Sequence, residues 1–345
     1  MKLVIYLIIL MSFCFLANAQ KTSANLLDSI AIVGNNGSYP NLDGVVITQR
    51  GKLIFENYFH GLNKNSLHDT RSSFKSVAGI LVGIAIDKGF IKNVDEKVYQ
   101  FFPEYKPYGN WNILKDSMTI RHLLEMKSGF DCEDDMENTQ DWIKFCLDLP
   151  LKNKPGSQWD YTSINAMLLG GIIAHATHMT VSEFADKYLF KPLGIANYKW
   201  TKDPLGHETT AGSFYVSPID MNKIGQVVLN NGVYHNTRVV SGKWIKIMTE
   251  KITKIENFSN VRISKNKTAI PQPTYYGYTW YNEEIKTAKF KHNVIFASGN
   301  GGQYIMVVRD LDLVVTFSGN SYNSPKSKLP FDILIKYILP YFNQK

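Results

Sequence analysis

Two serine–lysine pairs stand three residues apart in this 345-residue chain: Ser72 with Lys75 in "TRSSFKSVAGILVGIAIDKG", and Ser264 with Lys267 in "RISKNK". A serine hydroxyl is a weak nucleophile and needs a base within hydrogen-bond reach. Positions i and i+3 share a helix face, so either pair has the spacing for that contact. Their surroundings separate them. Ten uncharged residues, "VAGILVGIAI", follow Ser76 and read as a helix that is apolar all round and therefore buried. In helical projection Lys75 lies on the side of Gly79, Val82 and Ile86. A lysine entering such a helix loses hydration, which is costly unless it is partnered or neutral, and the neutral amine is what a base requires. The alternative is that Ser72 caps the helix and Lys75 snorkels out from its first turn. Ser73 and Ser76 are rival hydroxyls, but neither has a lysine three positions downstream. The second pair lies in a short basic cluster, Arg262 to Lys267, that reads as a solvated loop.

Two further segments carry candidate chemistry. In "PGSQWDYTSINAMLLGG", Tyr161 and Ser163 stand between a Pro-Gly turn and an apolar helix. A tyrosine held rigidly there can pass protons, although taken alone the pattern is better explained by a helix-capping aromatic. In "FASGNGGQYIMVVRD", Ser298, Gly299 and Asn300 lie in a glycine-rich turn between two strand-like runs. Glycine lets another backbone approach a strand edge, and N–H groups exposed there stabilise an oxyanion; a plain hairpin turn is the simpler account. His175 and His178 have a metal-compatible spacing without evident carboxylate or cysteine partners, so they read as ordinary helix histidines and no metal or cofactor is expected. Gly-x-Ser-x-Gly and His-Glu-x-x-His signatures are absent.

The elements that must position these residues alternate in type. "GVVITQRGKLIFENYFHG" reads as a strand hairpin, and helical spacing dominates from Ile91 to about Trp200, in "MTIRHLLEMKSGF", "SINAMLLGGIIAHATH" and "SEFADKYLFKPLG". "SPIDMNKIGQVVLNNG" predicts one more helix. Strand-like runs return in "YYGYTWY", "KHNVIFASG", "GQYIMVVRD" and "LDLVVTFSG", and "FDILIKYILPYF" closes the chain as a helix. Strands at both ends with helices between them predict an α+β fold with a mainly antiparallel sheet. At 44% hydrophobic and 20% charged residues the chain can bury a large core, and no repeat or low-complexity tract interrupts it. The net charge of +8 is scattered, which argues against a nucleic-acid surface.

"MKLVIYLIILMSFCFLANAQ" predicts a secretory signal peptide, residues 1–19, cut after Ala19; a membrane anchor is the alternative. Phe13 before Cys14 is wrong for a lipoprotein signal. A secreted or periplasmic mature chain would keep Cys132 and Cys146, which either pair or stand apart. No later segment is long and apolar enough to span a membrane.

In order and spacing, the three elements resemble those of the penicillin-recognising serine hydrolases, with their Ser-x-x-Lys, Tyr-x-Ser/Asn and Lys-Thr-Gly boxes. The resemblance is to the branch containing class C β-lactamases, serine esterases, D-peptidases and 6-aminohexanoate-dimer hydrolases. "MTIRHLLEMKSGF", "LFKPLGIANYKW", "SPIDMNKIGQVVLNNGVY" and "GNGGQYIMVVRDLDLVV" extend it over nearly the whole mature chain. It implies a β-lactamase/DD-peptidase-like fold over residues 20–345, with a sheet subdomain at about 24–90 and 205–345 and a helical subdomain at about 91–204. It implies Ser72 as acylated nucleophile, Lys75 as base and Tyr161 as proton relay. Ser163 would hydrogen-bond where many relatives have Asn, and the N–H groups of Ser72 and Asn300 would form an oxyanion hole beside Ser298 and Gly299. One departure stands out. Ala297-Ser298-Gly299 occupies the Lys-Thr-Gly position, so the cation that meets a β-lactam carboxylate is missing. An ester, an amide or a peptide-like linkage in a small molecule is the expected substrate. The rival is a non-hydrolytic binding or sensor protein that keeps the fold.

Overall fold

The computed structural model describes residues 26–131 and 136–343. The predicted signal peptide and Cys132 lie outside the described residues.

The first hairpin forms as its alternation predicts. Strands β1 (Leu42–Gln49) and β2 (Lys52–Tyr58) are joined through Arg50 and Gly51, both at positive φ (50° and 73°). That is the twist a two-residue hairpin turn demands. The later strands are β3 (Thr253–Lys254), β4 (Ala269–Ile270), β5 (Thr274–Tyr276), β6 (Tyr281–Thr287), β7 (Lys291–Gly299), β8 (Gln303–Val308) and β9 (Leu313–Gly319). Among the described residues they make a nine-stranded sheet in the order β2-β1-β9-β8-β7-β6-β5-β3, with β4 beside β6. Every ladder is antiparallel, and β1 pairs with β9, so the two ends of the chain close the sheet.

Side-chain alternation divides the interior in two. On β8, Ile305 and Val307 join a core with helices α2 (Phe74–Asp87), α3 (Ser163–Thr177) and α4 (Pro218–Leu229). Tyr304, Met306 and Val308 point the other way, against α1 (Leu26–Asn35) and the C-terminal helical run from Leu329. Helix α2 is buried from Phe74 to Ala85, as its uncharged sequence predicts. A second, three-stranded sheet orders His68–Asp69, Phe214–Val216 and Tyr198–Trp200 side by side, and Thr70 continues it by donating its N–H to the Phe214 carbonyl at 2.8 Å. This sheet fixes the chain immediately before Ser72.

Some elements are shorter than their patterns. In "MTIRHLLEMKSGF" only Ile120–Leu124 is α-helical, and Met126 turns away at φ 56°. "YYGYTWY" is not one strand: Gly277 donates its N–H to the Trp280 carbonyl at 2.8 Å, and the chain reverses before β6. The segment Arg262–Lys267 is not wholly solvated, because Ser264 and Asn266 are buried. Cys146 is buried with its sulfur 3.7 Å from that of Met136. Among the described residues no single helix is long and apolar enough to cross a membrane.

Candidate active site

Ser72 lies in a single 3-10 turn, Arg71–Ser73, that runs directly into α2. Its hydroxyl caps nothing. Lys75, 1% exposed, donates to Ser72 Oγ at 2.9 Å, to Ser163 Oγ at 3.3 Å and to the Ala211 carbonyl at 2.7 Å. These three acceptors use all three N–H groups of an ammonium, and all are neutral. The lysine does not snorkel out. The rival hydroxyls are occupied elsewhere: Ser73 donates to the Thr70 carbonyl at 2.7 Å, and Ser76 donates to the Thr279 carbonyl.

Thr162 caps α3 by accepting the Ile164 N–H at 3.2 Å, which places Ser163 at the first helical position, facing Lys75. The face of the Tyr161 ring meets Lys75 Nζ at 5.2 Å from its centroid. The hydrogen bonds of Lys75 go to Ser72, Ser163 and Ala211, and it meets Tyr161 through the ring face. Burial pushes the Tyr276 and Tyr281 hydroxyls well above the ordinary tyrosine range, and neighbouring Tyr161 adds to it.

The end of strand β7 packs against the nucleophile's turn. Tyr281, the first residue of β6, pairs with Phe296, so Ala297, Ser298 and Gly299 run past β6 and pair only with β8. Gly299 is required by contact: a Cβ there would lie 2.4 Å from the Thr70 carbonyl oxygen. What the glycine admits is the nucleophile's own turn. Asn300 follows at the mouth, locked by Asn300 Nδ2 donating to Asn323 Oδ1 at 2.7 Å and by the Asn323 N–H returning to Asn300 Oδ1 at 2.9 Å. Ser72, Ser163, Ala211, Ser213, Asn300 and Arg71 all line one pocket of about 300 Å³. Ser298 is not in that lining; its Oγ lies 3.4 Å from Lys328 Nζ.

Two cations escaped sequence reasoning. Ala297 is fully buried and offers no charge, but Lys328, at the start of the C-terminal helical run, reaches Ser298 from another segment. Arg71 adjoins the nucleophile and lines its pocket. Its position in "TRSS" was a local signal; Lys328 had none.

Among the described residues one trio, Asp141, Asp203 and His207, groups possible metal ligands. Asp203 already accepts the N–H groups of Trp142, Leu205 and His207 and the His207 ring nitrogen at 2.7 Å, so it serves as a loop clamp. The His175 and His178 rings lie 6.4 Å apart.

This arrangement sits on a chain whose residues 41–335 match the family model described as Beta-lactamase. The chain belongs to the Beta-lactamase family. Protein flp of Staphylococcus aureus (strain MW2) is 25% identical over 202 residues, 52% of this chain and 40% of flp. The 6-aminohexanoate-dimer hydrolase of Paenarthrobacter ureafaciens is 23% identical over 226 residues, 59% of this chain and 56% of the hydrolase. The match thus spans about half the length of these curated relatives. Among solved structures, the octameric penicillin-binding protein homologue from Pyrococcus abyssi superimposes with a TM-score of 0.69 at 17% identity, covering 90% of this chain and 77% of that one. The α+β architecture is accordingly that of the β-lactamase/DD-peptidase-like fold.

Proposed function

We propose that this Beta-lactamase family member is a secreted or periplasmic serine hydrolase that cleaves an ester or amide bond through an acyl-enzyme on Ser72. The contact between buried Lys75 and Ser72 Oγ, at 2.9 Å, carries the reading. In the neutral form Lys75 takes the Ser72 proton as Oγ bonds to the substrate carbonyl carbon. The N–H groups of Ser72 and Asn300 hold the resulting oxyanion. Collapse breaks the bond to the leaving group, which receives the proton from Lys75, with Tyr161 beside it as relay. Water then attacks the acyl-enzyme by the reverse proton path and releases the acid. Ser163 orients Lys75 from the far side, at 3.3 Å. Ser298 and Gly299 supply the strand edge along which substrate lies.

The mature protein is tested with a fluorophosphonate probe and a p-nitrophenyl ester, beside Ser72→Ala. Labelling and turnover in the wild type, both lost in the variant, are expected. Absence of both in the wild type leaves a binding or sensor protein on the same fold, and labelling that survives in Ser72→Ala moves the nucleophile elsewhere.

A further inference from the structure

We infer that Arg71 is a specificity-determining residue of this site, receiving a carboxylate that the substrate carries a few atoms from the bond Ser72 attacks. This rests on the hydrolase reading and adds the substrate's charge to it.

The backbone gives the first reason. Arg71 adopts φ 48°, the left-handed region, which is costly for a non-glycine residue. Glycine would adopt it without that cost. Here the conformation is enforced from both sides: a Cβ at Gly212 would lie 3.1 Å from the Arg71 carbonyl carbon, and one at Gly299 would lie 3.2 Å from Arg71 Cβ. Asp69 fixes it further by accepting the Arg71 N–H at 2.8 Å. The side chain therefore departs from a rigid point next to the nucleophile.

The guanidinium gives the second. It lies 5.6 Å from the centroid of the Tyr322 ring, and its side chain is 42% exposed. Among the described residues its one ion pair is a 3.4 Å contact from a single nitrogen to Asp69. A guanidinium has five N–H donors arranged to take a carboxylate in bidentate fashion, so most of this fork is open to a ligand. Glu137 lines the same pocket, so Arg71 is the lining residue that can take an anion. Lys328 is turned to Ser298 and the rings of Phe258 and Tyr304, outside the lining that contains Ser72.

The test uses matched esters at neutral pH. p-Nitrophenyl glutarate is compared with p-nitrophenyl valerate for a carboxylate on the acyl side, and 3-carboxyphenyl valerate with phenyl valerate for one on the leaving side. The ratio of kcat/KM within a pair cancels any loss of folded enzyme. Wild type is expected to favour the anionic member of one pair by about tenfold or more, as a charge-assisted contact provides. Arg71→Gln should erase that preference and Arg71→Lys should keep part of it. No preference in either pair, or a preference unchanged in Arg71→Gln, overturns the assignment. A preference lost in Lys328→Met but kept in Arg71→Gln overturns it too, moving the subsite to Ser298. If wild type turns over none of the esters, the hydrolase reading fails separately, and calorimetry with glutaramate and valeramide decides Arg71. Selective glutaramate binding lost in Arg71→Gln supports it, and equal binding of the two amides, or binding of neither, overturns it.

Discussion

At the start of α2, Lys75 is 1% exposed and lies against Ser72 Oγ at 2.9 Å. After the short helix Asn260–Ile263, Lys267 is exposed, and Ser264 donates its hydroxyl to the Val261 carbonyl at 2.8 Å. The spacing is the same and the outcomes are opposite, because a shared helix face exists only where the helix continues. From Ser72 the turn passes straight into fourteen helical residues. Between Ser264 and Lys267 the chain leaves the helix, with Lys265 at φ 58°, so the two side chains no longer share a face. Burial completes the distinction. An apolar helix carries Lys75 inward, whereas the short basic segment leaves Lys267 in water.

The largest effect that can break this comparison is removal of each lysine. Lys75→Met should lower kcat/KM on a p-nitrophenyl ester by about a thousandfold, the scale of a lost general base. Its thermal stability should hold or rise, because a methionine of similar length replaces a buried polar group whose three hydrogen-bond partners carry no charge. Lys267→Met should change neither quantity. Equal activity in the two variants would mean that Lys75 is structural and that the contact to Ser72 is not a catalytic one.

The same contrast shows what a sequence reader can recover. The β1–β2 hairpin, α2, α3 and β7 follow from local pattern, since burial on one or all faces is written in their periodicity. β7 matches "KHNVIFASG" from end to end. The catalytic geometry follows as far as a single helix carries it, which is why Ser72 and Lys75 are legible together. What requires distant segments is not. The acceptor on the Ala211 carbonyl, the buried Tyr281 beside Tyr161 and the approach of Lys328 to Ser298 are separated by 30 residues or more from the residues they serve. The aromatic run "YYGYTWY" misleads for a related reason. β-propensity favours a strand, but Gly277 is held against the carbonyls of Met248 and Glu250, where a Cβ would come within 2.4 Å and 2.6 Å, and the chain turns.

A smaller effect probes the buried tyrosines beside Tyr161. Tyr276 and Tyr281 keep their protons to higher pH than a solvated tyrosine, chiefly through burial and then through Tyr161. A group raised in this way contributes fully below the unfolded tyrosine value of about 10 and loses its contribution as pH climbs beyond it. The unfolding free energy from urea titrations should therefore fall above pH 10, by up to ~1.4 kcal/mol per pH unit for each tyrosine held neutral. The fall should be shallower in Tyr276→Phe. An identical slope in that variant would show that Tyr276 ionises as freely in the fold as outside it.

The smallest effect belongs to the second pair. Ser264→Ala removes a buried hydroxyl and leaves the Val261 carbonyl without that donor, a loss of about 1 kcal/mol. Lys267→Ala should stay within about 0.5 kcal/mol of wild type, as an exposed side chain does. Because the two residues share no contact in this geometry, their effects should add in the double variant. Ester turnover should be unchanged in all three. A measurable coupling energy between Ser264 and Lys267 in urea titrations would mean that they meet in solution, and spacing alone would then have assembled a serine–lysine contact without the buried helix that Ser72 and Lys75 depend on.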